Sequence, residues 1–321
     1  MIEDSPGTPL LKEVDRIEVV TVIDNYVDLL LESTDLIKRP PQARDGNIPA
    51  DTLLAEHGLS LLINVYLGET RHTVLFDTGY SRVGVPHNIF GLGIDPGEIE
   101  AIVLSHGHMD HTGALYQILD NLSDRIPVVL HPDAFLWPRY FGLANGRRLL
   151  FPKTLLREEL YQRNVEVLEK KGPTILADGN VLVTGEIERT TDFEKGLPFA
   201  VVERDGKDEE DLILDDQALV VNLKEKGLVI ISGCGHAGIV NTILFARKIT
   251  GRQKVHAVMG GFHLSGPFFE KIIEETISAI ENLGAEVIAP MHCTGWKAIK
   301  RFSEEFNSSF ILNSVGSKFV L

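Results

Sequence analysis

Residues 104–115 read LSHGHMDHTGAL, which sets three histidines and one aspartate into six consecutive positions directly after the apolar run AIVL. The chain has only 11 histidines in 321 residues, so this density is not a compositional accident. In extended backbone, side chains at i and i+2 point to the same side. A strand running out through His106 and His108 therefore aims both imidazoles at one point, and Gly107 keeps the loop between them clear of a further side chain. The helical turn that follows carries Asp110 and His111. Neighbours on a helix do not share a face, so this pair is aimed at a second point a few ångströms away. Two such points, built of imidazole and carboxylate, suit two ions of the zinc, iron or manganese type rather than calcium. The plainer alternative is a polar loop or a set of helix-capping histidines.

The rest of the chain has the alternation that such a strand–loop–helix unit needs. IEVVTVIDN (17–25) reads as a strand, and LSLLINVYLGETRHTVLFDTG (59–79) as a hairpin turning at Gly68 and Glu69. The segment 28–50 has Pro-Pro and Asp-Gly breakers and reads as a long loop. AIVLS, PVVLHP, VLVTGEI, ALVVNL, GLVIISGC, VHAVMGG and EVIAPM are further strands; helical spacing marks 111–122, 236–250, 268–284 and 297–306. Residues 133–170, rich in aromatics and arginine without a clean period, read as an insertion or lid with helical pieces. Strands alternating with helices in both halves give a layered α/β (α+β) protein. Residues 1–16 are expected to form a flexible lead-in and 17–321 a single domain.

Bulk composition narrows the partners. With 31 basic against 46 acidic residues the net charge is -15, which argues against a nucleic-acid backbone as partner. No apolar run reaches the ~18–20 residues of a membrane span, and the N-terminus lacks a signal-peptide pattern. The expectation is a cytoplasmic protein with a small-molecule substrate, no membrane partner and scope for a homo-oligomer. Two cysteines, Cys234 and Cys293, imply no disulfide framework.

His-X-His-X-Asp-His after a short strand, together with FDTG at 76–79, resembles the signature of the metallo-β-lactamase superfamily. The resemblance implies a four-layer αββα sandwich with two mixed sheets and metals at one edge of them. It implies that Asp77 supports the metal loop from behind without being a ligand, as metal-binding imidazoles require. It also implies further ligands at later strand ends, since four residues are too few for two metals. His292, closing IAPMH, suits the last position. In SGCGHAG, Cys234 stands where the family usually has a bridging aspartate; it is either a thiolate ligand or a small buried residue. His236, just before a helix and after glycine, is expected to be a ligand. The Gly-His that commonly precedes this strand is missing, and LILDDQAL stands there instead.

AEHGLSLLI, TGEIERTTDFE, DDQALVV, ISGCGHAGIVNT, GGFHL and PMHCTGW together resemble one branch, the 7,8-dihydropterin-6-methyl-4-(β-D-ribofuranosyl)aminobenzene-5'-phosphate synthases. The resemblance implies a transferase that releases diphosphate, using a metal pair (zinc, with iron or manganese as alternatives) and a phosphorylated, pterin-like substrate. Trp137, Tyr140, Phe141 with Arg139, Arg147, Arg148 and Lys153, and also Arg189 and His57, are then candidates for substrate contact; a solvated lid without such contact is the alternative. His263 would serve as acid, base or substrate contact, or be structural. The same metal site suits a hydrolase of an ester, lactone or phosphodiester, with a metal-activated water and with Asp110 or His263 moving the proton. A metal-binding sensor without turnover is the third reading.

Overall fold

Each long strand alternates two sets of apolar side chains, and each set finds its own partner. Val19, Ile63, Val74 and Val103 meet Leu219, Val229, Ile231, Met259 and Ala289 in one interior shared by two sheets. The intervening side chains point the other way. Leu62, Leu75, Ile102 and Val128 pack on Val85, Ile89, Leu115 and Ile118; Val220, Ile230, Val258 and Ile288 pack on Ile239, Ile243, Ile277, Ile280, Ala298 and Phe302. Three cores stacked in this way make four layers, helix–sheet–sheet–helix. Period-two alternation with both faces apolar is what strands covered on both sides require. Burying each such side chain is worth roughly 1.5–3 kcal/mol.

The computed structural model describes residues 11–43, 46–143, 145–163 and 165–321. The first sheet has eight strands; across it run Val165–Glu169, Ile126–Leu130, Ala101–Val103, Thr70–Phe76, Ser60–Leu67, Arg16–Ile23, Lys318–Val320 and Ile37–Lys38. The second has seven: Thr174–Leu176, Val181–Val183, Ala218–Leu223, Gly227–Ser232, Val255–Gly261 and Val287–Met291 in order, with Glu13–Val14 beside Ala218–Leu223. Both are mixed. In the first, Thr70–Phe76, Ala101–Val103 and Ile126–Leu130 run parallel. In the second, Gly227–Ser232, Val255–Gly261 and Val287–Met291 do. Parallel strands send all their C-terminal ends to one edge of a sheet, the usual place for a site in such folds. Ser105, Cys234, Phe262 and His292 follow those ends. No helix among the described residues is long and apolar enough to cross a membrane.

Three sequence expectations change. Residues 13–16 of the expected lead-in are ordered: Glu13–Val14 pairs with Asn222–Leu223 and Val14 is fully buried, because one apolar residue suffices to seat a short edge strand. Residues 1–10 lie outside the described residues. Within 28–50, Ile37–Lys38 is a strand, with Ile37 in the inter-sheet core. The 133–170 segment ends sooner as an insertion, since Val165–Glu169 is an edge strand of the eight-stranded sheet. Among the described residues its helical content is the five-residue α-helix Arg157–Tyr161 and the 3-10 turn Pro132–Phe135. The remainder contributes Arg139–Gly142 and Arg148–Leu150 to a small third sheet with Ala200–Arg204 and Lys207–Glu210.

Candidate metal centre

The loop after Ala101–Val103 is held before its histidines act. Asp77 sits at φ 61°, in the left-handed region, and there its Oδ1 accepts from Ser105 N at 2.6 Å and its Oδ2 from His111 Nδ1 at 2.6 Å. One carboxylate thus orients the His111 ring and fixes the loop that carries His106 and His108. Gly107 is required: a Cβ there would lie 2.1 Å from the carbonyl oxygen of Ala134. Its N–H donates to Asp215 Oδ2 at 2.8 Å. The i, i+2 geometry brings His106 Nε2 to 2.9 Å from His108 Nδ1. The short helix Met109–Thr112 then carries Asp110 and His111.

The second sheet delivers the rest. Beyond Gly227–Ser232, His236 Nε2 comes within 3.2 Å of His106 Nε2. Beyond Val287–Met291, His292 Nε2 lies 3.3 Å from Asp110 Oδ2. Two donor groups result. His106, His108 and His236 surround one point; His57, Asp110 and His292 surround another. Cys234 belongs to three groupings: with His106 and His111, with His236 and His263, and with His292 and Cys293. Its Sγ is 3.2 Å from His263 Nδ1 and 3.2 Å from Cys293 Sγ.

Several ring nitrogens of this cluster lack hydrogen-bond partners. His111 Nε2, His236 Nδ1 and both ring nitrogens of His292 are buried with none. An unpartnered buried nitrogen is costly unless it meets a cation. Burial, and next the neighbouring His111, hold His106 well below the ordinary imidazole range; burial and then His263 do the same to His236. Burial followed by Arg139 takes His108 down to about 3. These rings are therefore neutral donors. Burial opposes charge on His111 too, but Asp77 and Asp110 outweigh it and raise the ring to about 9. Asp110 is held well below its usual range because His111 and His292 outweigh its burial. Neutral imidazoles beside an ionised carboxylate and a thiol fit a divalent ion of the zinc class.

The remaining candidates divide. His57 comes to the site edge, with Nε2 3.7 Å from Asp110 and its ring 5.0 Å from His292. Lys153 lies 5.3 Å over Trp137, and both line a recess with Phe151, whose ring stacks on His108. Arg139 is a correction. It is buried and paired with Asp215 at 2.6 Å and Asp211 at 3.0 Å, so its charge is spent inside the protein and not on a substrate. Arg148 pairs with Asp208 at 2.6 Å on the outer sheet, and Tyr140 stacks beneath it. Arg147 is exposed. Arg189 turns its guanidinium onto the carbonyls of Leu212 and His236, which braces the His236 loop.

Sequence reasoning missed several residues that hold the site. Asp24 Oδ1 accepts from His292 N at 2.9 Å, and Asn25 Nδ2 donates to His292 O. This pair steadies a histidine at φ 50°; in the sequence it looked only like the end of a strand. Asp215-Asp216-Gln217 grips both ligand loops. Asp215 accepts from Gly107 N, Asp216 from Ala237 N, and Gln217 donates its backbone N–H to Ser105 O and its amide to Leu104 O. Glu194 accepts from Val240 N and Asn241 N and so caps the helix Ile239–Thr250 after the His236 loop. The TTDFE and DDQ stretches are therefore scaffolding around the centre.

The family model of the metallo-beta-lactamase superfamily matches residues 58–243. The chain is 36% identical over 262 residues to the 7,8-dihydropterin-6-methyl-4-(beta-D-ribofuranosyl)-aminobenzene-5'-phosphate synthase of Methanocaldococcus jannaschii, covering 80% of this chain and 87% of that one. It is 30% identical to an uncharacterized protein of the same organism, MJ0448, over 82% of this chain and 92% of that one. Among solved structures, Tm1679, a metal-dependent hydrolase of the beta-lactamase superfamily, superposes with a TM-score of 0.69 at 28% identity, covering 94% of this chain and 98% of that one.

Proposed function

The chain belongs to the metallo-beta-lactamase superfamily, and from that premise we propose that it is a metal-dependent transferase of the dihydropterin–aminobenzene synthase kind, releasing diphosphate. The observation that carries this reading is the extent of its identity with the archaeal synthase. The ligands we assign are His106, His108 and His236 at one position and Asp110, His111 and His292 at the other, with Cys234 between them. A pair of zinc-class ions (iron or manganese being the alternatives) would supply the Lewis acidity that neutralises charge growing on a diphosphate leaving group.

The chain's own residues do the remainder. Asp77 and Ser105 fix the His106 and His111 rings. Trp137 and Lys153, next to the Phe151 ring stacked on His108, offer an aromatic surface and a cation to a phosphate-bearing ring. In the transfer, the aminobenzene partner bonds to the pterin side-chain carbon as the C–O bond to diphosphate breaks, and it sheds one proton. His263 receives that proton: it is half-buried at the mouth of the centre, beside a recess lined by Phe193, Phe268 and Phe269. Asp110 stays ionised and orients His111 and His292.

The test measures diphosphate release from the metal-loaded protein. Release only when both the dihydropterin diphosphate and the aminobenzene ribofuranosyl phosphate are present is expected. The likeness to Tm1679 favours a second reading, a hydrolase of an ester, lactone or phosphodiester. Nitrophenol release from simple esters or phosphodiesters, without diphosphate release from the paired substrates, would establish that instead.

A further inference from the structure

The chain has two cysteines, 59 residues apart, and the fold brings them together. Cys234 follows Gly227–Ser232 and Cys293 follows Val287–Met291, with Val255–Gly261 lying between those strands. Gly261 makes the meeting sterically allowed. A Cβ there would sit 2.8 Å from Cys293 Sγ and 3.1 Å from Cys234 Cα, so any other residue would wedge the two cysteines apart. Their sulfurs are 3.2 Å apart, both side chains are buried, and the Cys293 thiol also donates to Cys234 O at 3.0 Å. No other thiol in the chain competes for either one. Bringing two sulfurs from this contact to bonding distance takes a shift of only about 1 Å.

We propose that Cys234 and Cys293 are a site of reversible oxidation, whose closure to a disulfide withdraws the Cys234 sulfur from the metal centre. The oxidant is a hydroperoxide or a low-molecular-weight disulfide. With hydrogen peroxide, one thiol sulfur attacks a peroxide oxygen, the O–O bond breaks and water leaves, giving a sulfenic acid. The second thiol then displaces the sulfenic oxygen as a second water. Two thiols lose two protons and two electrons, and one peroxide becomes two waters. Two equivalents of an external thiol reverse the change by exchange. Entry is past His263, which is half-buried and touches Cys234. The consequence for metal rests on the assignment of Cys234 as a donor; formation of the cross-link does not.

The experiment treats metal-loaded protein with hydrogen peroxide or glutathione disulfide, blocks free thiols by alkylation, and maps peptides without reductant. A peptide pair joining Cys234 to Cys293 is expected, with metal appearing in a chromogenic chelator in step with it, both reversed by a phosphine reductant and fresh metal. In Cys293→Ser, with Cys293→Ala as a second variant, the linked peptide vanishes. Peroxide-driven metal release then slows by roughly tenfold, because no partner thiol traps the sulfenic acid. Thiols consumed without a linked peptide in the wild type would overturn the proposal. A linked peptide that leaves metal content unchanged would overturn its second half. Metal analysis of Cys234→Ser as purified separates the two layers: full occupancy there removes Cys234 from the donor set while leaving the cross-link to stand or fall on its peptide map.

Discussion

In the metal-free protein His111 carries a proton that it must surrender to become a ligand. Its Nδ1 donates to Asp77 at 2.6 Å and its Nε2 is 3.8 Å from Asp110, and these carboxylates outweigh burial and raise the ring to about 9. Metal uptake below pH 9 is therefore expected to release one proton from His111 and a second from the Cys234 thiol, each making affinity rise about tenfold per pH unit. Calorimetry in buffers of different ionisation enthalpy measures the release. The stability of the metal-free form follows the same group. A folded-state pKa above the ordinary ~6.5 gives a contribution that is complete below 6.5 and lost as pH rises through about 9. His108, taken down to about 3, acts with the opposite sign: its contribution is complete above ~6.5 and lost as pH falls toward 3. Thermal unfolding of chelated protein from pH 3 to 10 is expected to trace a dome between these limits. His236→Ala removes one of three nitrogens around the first point and is expected to lower bound metal and turnover together. Full metal content in that variant would refute the ligand set.

Between neighbouring elements, two cations of the 133–170 segment have opposite meanings that their residue types conceal. Arg139 ties its strand to Asp211 and Asp215, and through Asp215 to the Gly107 amide. Arg139→Ala leaves two buried carboxylates unpaired and is expected to cost roughly 3–5 kcal/mol, read by denaturant unfolding. Lys153 is exposed beside Trp137, and Lys153→Ala is expected to change stability by at most about 0.5 kcal/mol while raising KM for a phosphorylated substrate. What the sequence made legible divides along the same line. The His106–His111 cluster and the strands were readable because their geometry follows from spacings of one to three residues and from period-two alternation. Arg139 lies 76 residues from Asp215, Asp24 lies 268 from His292, and Cys234 lies 59 from Cys293. Those pairings exist only once two sheets are stacked, and no local spacing encodes them. His292 was legible at such distance because it ends an apolar strand, while Cys293 beside it carried no pattern of its own.

Across the whole molecule, the proposed donors come from both sheets: His106, His108, Asp110 and His111 follow a strand of the eight-stranded one, and Cys234, His236 and His292 follow strands of the other. An ion held by both acts as a cross-link between layers and stabilises the folded state by mass action, about 4 kcal/mol at a thousandfold excess over its dissociation constant. Chelation is expected to lower the melting temperature by several degrees and to make both layers, at hydrogen-exchange resolution, open more readily. Zinc should restore the original value. An unchanged melting temperature after verified metal removal would count against a centre shared by the sheets.

The grip of Asp215-Asp216-Gln217 on both ligand loops adds a further consequence. One tripeptide holds the Ser105–Gly107 segment with one hand and the Ala237 amide with the other. Because both loops hang on the same tripeptide, a displacement of it is expected to carry His106 and His236 in the same direction. Their separation is thereby insulated from motion common to both, as in an instrument whose two arms share one mount. Only a relative slip between the arms would detune the centre, and the tripeptide sits where it opposes that slip.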